Sequence, residues 1–249
     1  MNDVLEQLFQ RKSVRIFEDK PVVEETRQAI LQAAYQAPTA GNMMLYTILE
    51  ITDKPLKEAL AESCDHQPFI AQAPFVLVFL ADYQRWYDTF THEGLNPRKP
   101  GAGDLMLACA DALIAAQNSV VAAHALGLGS CYIGDIIENC EQVRTLLRLP
   151  EYVFPAAMVV YGYATEQQRK RQKPPRFEDQ YIRFENHYRR LTPEEHKEMH
   201  RKQNQAKGQP DRDIHKDLDA LHQRKYASDF AREMNRSTEV YWKAFQEKE

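Results

Sequence analysis

The sequence predicts a layered fold of the α/β or α+β class, with a charged helical tail. Three observations carry this. Helix-period and strand-like segments interleave over the first three quarters of the chain, one strand is apolar without a break, and the composition turns strongly charged beyond Thr192. At 249 residues, with 43% hydrophobic and 27% charged side chains, the chain is long enough for one sizeable core with extensions.

Val4, Leu5, Leu8 and Phe9 recur at helical spacing, so a first helix leads directly into RKSVRIF, residues 11–17. A second helix is expected from Glu24 to Gln36, with glutamates in its first turn and Pro38 beyond its end. APTAGN then makes a turn. LYTILEI (residues 45–51) and APFVLVFLAD (73–82) read as strands, the second apolar enough to be covered on both faces, with a helix over Lys54 to Cys64 between them. The segment from Asp104 to Ala125 is apolar almost all round, as in a helix at the centre of a fold, and Gly127 and Gly129 stop it. SCYIGD, a helix near Cys140 to Leu147, and VFPAAMVVYGYA complete a second strand, helix and strand unit. Two exposed helices around AKGQPDRD fill the tail.

A formal charge of -4 argues against a general nucleic-acid or anionic-membrane surface and leaves room for a local site for a small anion. The four cysteines form no C-x-x-C pair, and the opening residues carry no secretory-signal pattern, so reduced thiols and a cytoplasmic location are expected. Asp111, Gln117, Asn118 and His124 interrupt the longest apolar stretch, which is therefore expected to be a buried helix, not a membrane span.

RKSVRIF is the stretch with chemical potential. If it is extended, Arg11, Ser13 and Arg15 share one side while Val14 and Ile16 enter a core on the other. Two guanidinium forks and a hydroxyl suit a phosphomonoester. Glu18, Asp19 and water could equally satisfy these cations. HKEMH places His196 and His200 one helical turn apart, but Lys197 stands where a zinc protease has its glutamate and no third ligand is suggested, so no metal is expected. Cys131 reads as a small buried thiol.

The motif R-x-S-x-R-x-F after a helix resembles the opening of the nitroreductase family of FMN-dependent NAD(P)H oxidoreductases, in its nitroreductase A or flavin reductase type. QAPTAGNMMLYTI, HQPFIAQAPFVLVF, DALIAAQNSVVAAHALGLGSCYIGDIIEN and YGYATEQQRKRQKPPRF are similar, in order, to that family's later segments. The resemblance implies an α+β fold with a mixed sheet flanked by helices, an FMN-binding domain over residues 1–190, and a helical extension over 191–249 that wraps the partner of a homodimer. It further implies that Arg11, Ser13 and Arg15 hold the FMN phosphate with Lys173 and Arg176, and that Lys12 approaches the pyrimidine edge of the ring. Pro38, Thr39 and Ala40 would line the flavin, Asn42 support that turn and Gln67 bond the flavin edge, while Tyr132, Ile133, Gly134 and Asp135 cover the other face.

The implied activity is reduction of nitroaromatics, quinones or flavins by a ping-pong two-electron route, with no catalytic side chain beyond the electrostatic Lys12. NADPH is favoured over NADH through Arg201, Lys202, Lys207 and Arg212. Leu218, Leu221, Tyr226, Phe230, Tyr241, Trp242 and Phe245 would dock the tail on the other subunit. Two departures stand out: Asp135 replaces the family's second glycine, and Lys173 and Arg176 are one residue farther apart than usual. A specialised FMN reaction, such as reductive dehalogenation or dehydrogenation, and a non-catalytic binding protein are the rival expectations.

Overall fold

The unbroken apolar run at residues 75–82 is explained by a sheet covered on both faces. A computed structural model describes residues 2–246. Four strands, β1 (Tyr46–Glu50), β2 (Phe75–Asp82), β3 (Gly129–Ile133) and β4 (Val153–Gly162), pair antiparallel in the order β1-β2-β4-β3. Along β2, Phe75, Leu77, Phe79 and Ala81 enter one core and Val76, Val78 and Leu80 the other. The first core is closed by α2 (Glu24–Tyr35), α6 (Ala102–Ala125) and α11 (Asp229–Trp242), the second by α3 (Lys54–Ser63), α4 (Pro68–Gln72) and α7 (Cys140–Leu147).

β4 changes parity along its length. Phe154 and Ala156 face the first core, and so do Val159 and Tyr161. The register shift between Phe79 and Leu80 accounts for this, since it leaves one extra β4 residue at the bulge. Pro155 is tolerated there because β3 pairs only with Met158–Gly162, so no neighbour on that side asks Pro155 for an N–H.

The remaining helices of this region are α1 (Asp3–Gln10), α5 (Gln84–His92) and α8 (Glu166–Lys170). α6 departs from the expected all-round burial. Its buried stripe is made largely of small residues, Ala108, Ala112, Ala115, Ala116, Ser119 and Ala123, which lets the helix lie close on the sheet. Its large side chains Met106, Leu107, Leu113 and Ile114 are instead exposed, as are Val4, Leu5, Leu8 and Phe9 of α1. By length and composition α6 could cross a membrane, yet it carries the buried carboxylates Asp104 and Asp111 and packs along the sheet.

The chain separates into two compact units at positions other than the expected 190/191. One comprises the residues up to Arg171 together with those from Arg232 onward, and the other is Gln172–Ala231. The physical reason lies in α11 and the turn after it: Tyr241 and Phe245, expected to dock on a partner, are fully buried in the first core of their own chain, edge-on to Phe154 and Tyr152 respectively. Side chains of this size contribute roughly 1.5–3 kcal/mol each when fully buried. The second unit contains α9 (Pro193–Ala206), opened by a Thr192/Glu195 capping box, and α10 (Ile214–Lys225), the two exposed helices expected around the turn at Gly208.

Candidate functional site

α1 ends at Gln10, and Arg11 already has extended dihedrals. The following residues run along the free edge of β3: Ser13 forms a parallel bridge with Ser130, and Val14 N–H donates to Ser130 O at 2.9 Å. Val14 is buried over Gly129, where an added Cβ would come within 2.6–2.9 Å of the valine side chain. The expected alternation breaks after Arg15. Ile16 is half exposed, and Phe17, which bridges Ala164, packs instead over Gly162. The segment leaves β3 for the stretch after β4, and that change of partner turns Phe17 inward.

Arg11, Ser13 and Arg15, expected to share one side of the segment, all act on the thiol of Cys131. Its thiol is 1% exposed. Burial pushes its pKa up, outweighing the opposite influence of Arg15, Ser13 and Arg11. Burial thus disfavours the thiolate, although Arg15 and Arg11, absent from its sequence neighbourhood, act on it in the fold. Arg11 also faces Tyr132, whose hydroxyl burial raises to about 12. One Arg11 nitrogen, Nη1, is buried and has no hydrogen-bond partner. An orphaned guanidinium N–H on a segment that also carries a serine and a second arginine is a donor set that suits an oxyanion such as the phosphate of FMN.

Lys12 takes another post. Its ammonium donates to Arg169 O at 2.6 Å and to Arg171 O, neutralising the C-terminal end of α8, while the Arg171 guanidinium donates back to Ser13 O.

The APTAGN turn is locked from two sides. Gly41, Asn42 and Met44 all have left-handed dihedrals, φ 56°, 58° and 49°. Asp111 of α6, missed in the sequence as anything but an interruption, accepts from the Thr39 hydroxyl, from Ala40 N–H at 3.1 Å and from Leu45 N–H at 3.1 Å. From α5, Trp86 Nε1 donates to Met43 O at 2.8 Å and Arg85 to Met44 O and Tyr46 O at 3.3 and 3.1 Å. Pro38 and Asn42 are exposed, Thr39 and Ala40 half-buried.

Beyond β3, a 3₁₀ turn spans Gly134–Ile137. Tyr132 is half-buried, its hydroxyl 3.3 Å from Gln117 Oε1, and Ile133 is buried. Gln67 donates to Asp135 Oδ2 at 2.7 Å and to Cys64 O at 2.9 Å, so its amide is engaged by the residue that replaces the second glycine. Glu138, 5% exposed, keeps one carboxyl oxygen without a partner. Burial first, then the charges of Asp135, Asp65 and Glu233, raises its pKa to about 8. Sequence reasoning missed Glu138 because two of the three acids that act on it, Asp65 and Glu233, come from distant parts of the chain.

Lys173 and Arg176 belong to the second unit. There Arg201, Lys202 and Arg212 are ion-paired with Glu198, Glu178 and Asp217, and Lys207 donates to Gln203 Oε1 at 2.9 Å. The His200 ring stands edge-on to Phe177.

Residues 8–163 match the nitroreductase family. The chain is 34% identical over 191 residues to an oxygen-insensitive NADPH nitroreductase of Salmonella typhimurium, covering 77% of each chain. It is also 34% identical over 179 residues to an FMN reductase [NAD(P)H] of Bacillus subtilis, covering 70% of this chain and 71% of that one. Among solved structures, NfrA2 of B. megaterium superposes with a TM-score of 0.79 at 27% identity, covering 95% of this chain and 98% of the other. The match runs through the basic segment, the locked turn and the loop after β3, and the chain belongs to the nitroreductase family.

Proposed function

We propose that this protein is an FMN-dependent oxidoreductase that uses NAD(P)H to reduce nitroaromatics, quinones or free flavins by a ping-pong two-electron route. The observation that carries the reading is the buried, unpartnered Arg11 Nη1 on the segment that also presents Ser13 and Arg15. Relatives named as FMN reductase and NADPH nitroreductase support it. FMN, when bound, supplies the hydride chemistry. Arg11, Ser13 and Arg15 would neutralise its phosphate. The Thr39–Ala40 turn and the Tyr132–Ile133–Gly134 segment present the walls of the ring site, and the buried side chains behind them exclude water from it. Lys12 adds positive potential from its post at the end of α8. The protein forms a homodimer through the exposed apolar faces of α1 and α6.

NADPH is favoured over NADH through basic side chains of the second unit, of which Lys207 is the one engaged by an amide oxygen and not by a carboxylate. Asp135 favours a second reading. Held by Gln67 beside Glu138, it brings negative charge to a place where a glycine brings none, which suits a more specialised acceptor.

Purified protein is expected to be yellow, to bleach anaerobically with NADPH faster than with NADH, and to give parallel double-reciprocal lines with a nitroaromatic or quinone. Replacing Arg11 and Arg15 together with alanine is expected to raise the FMN dissociation constant by about a hundredfold or more, the loss of two charge-assisted contacts. Its apo melting temperature should stay put. Bleaching without turnover of either acceptor class points to the specialised reaction. Colourless wild-type protein unable to take up FMN overturns both readings.

A further inference from the structure

We infer that Asp111 is the positioning residue of the flavin site, holding the Thr39–Leu45 turn in a strained shape that it does not keep alone. The inference rests on the proposed function, because the turn matters to catalysis only if it lines the flavin.

Three of the four residues from Gly41 to Met44 have left-handed dihedrals, and two of them, Asn42 and Met44, carry side chains. Such conformations persist only where the surroundings over-determine them. Here the surroundings divide the task by hydrogen-bond polarity. Donors of the turn, the Thr39 hydroxyl and the N–H groups of Ala40 and Leu45, all go to the Asp111 carboxylate, and Met44 N–H goes to Thr39 Oγ1 at 2.8 Å. Acceptors of the turn, the carbonyls of Met43 and Met44, go to Trp86 and Arg85. Asp111 is 3% exposed and sits within the alanine stripe that lays α6 on the sheet, so it cannot follow a turn that shifts. A buried carboxylate that meets only donors is well satisfied, and an amide in its place would point N–H groups at N–H groups. Asp111 is not proposed to touch substrate or cofactor, and it acts through Thr39 and Ala40.

The test is Asp111→Asn, read in two ways on the full chain. In apo protein, amide hydrogen exchange of residues 39–45 is expected to quicken about tenfold or more while β2 and β4 keep wild-type protection, which a general loss of stability would not produce. In FMN titrations the dissociation constant is expected to rise about tenfold or more, with an altered visible circular dichroism band for the flavin still bound. Should Asp111→Asn not fold, Thr39→Val, read by exchange on the apo protein with Thr39→Ser as the rescuing variant, carries the same expectation. Wild-type exchange at residues 39–45, protection lost equally throughout the sheet, or unchanged affinity in a protein whose wild type binds FMN overturns the inference. Wild type that takes up no FMN while the exchange result holds overturns the functional reading and leaves the locked turn standing.

Discussion

Glu138 is where the site's charge balance can be read by titration. Its carboxyl is raised from its ordinary 4.5 to about 8 by burial and by neighbouring acids, so the folded state holds a proton that the unfolded chain releases. The contribution is fully present below the unfolded value of 4.5 and is lost as pH rises through about 8. Wild type is therefore expected to lose melting temperature between about pH 5 and about pH 8, and Glu138→Gln, which cannot ionise, to flatten that slope. A variant with the wild-type slope would assign the pH dependence to other groups. The contrast with Arg11, Ser13 and Arg15 shows what a sequence can disclose about a site. Their expected placement on one side rests on alternation along a few extended residues, a local rule. Asp111 and Glu138 have meaning only through partners such as Thr39, Leu45 and Glu233, which lie tens of residues away, and no local rule reaches them.

Element boundaries were legible for α7, expected near Cys140 to Leu147, and for α3, whose start the structure marks with the Asp53 cap and Pro55. The orientation of α6 was not, because a helix apolar all round gives no sign of which side meets the sheet. Its small residues decide that, since only they allow close approach. Nor could the break after Arg15 be read, since it depends on which neighbour the chain bridges next. Gly129 and Gly162 are the receiving half of that arrangement. Gly129→Ala places a methyl within 2.6–2.9 Å of the Val14 side chain, so β3 and the basic segment must part. Overpacking of this kind costs about 1–3 kcal/mol, visible as a lower denaturant midpoint, and Val14→Ala should restore part of the loss when combined with it. Purely additive effects in the double variant would remove the contact as the cause.

At the scale of the molecule, Tyr241 and Phe245 take a role other than the one expected of them, while Leu218, Leu221 and Tyr226 of the tail stay exposed. Tyr241 and Phe245 complete their own chain's core, so the last helix is part of the first unit's stability. Val4, Leu5, Leu8 and Phe9 of α1 and Met106, Leu107, Leu113 and Ile114 of α6 are exposed, on helices that contact each other, and would offer a surface to a second copy. Isolated exposed apolar residues are ordinary, whereas eight large ones on two touching helices make a candidate interaction surface. α6 is 24 residues, about 36 Å at 1.5 Å per residue, long enough to anchor an interface of roughly 800 Å² per partner. The protein is therefore expected to sediment as a dimer at micromolar concentration. Leu107→Glu with Ile114→Glu would bury two unpaired charges on association and none in the monomer, so this variant should sediment as a monomer that keeps its far-ultraviolet circular dichroism. A wild type that sediments as a monomer, or a variant that remains dimeric, would assign these faces to something other than a second copy of the chain.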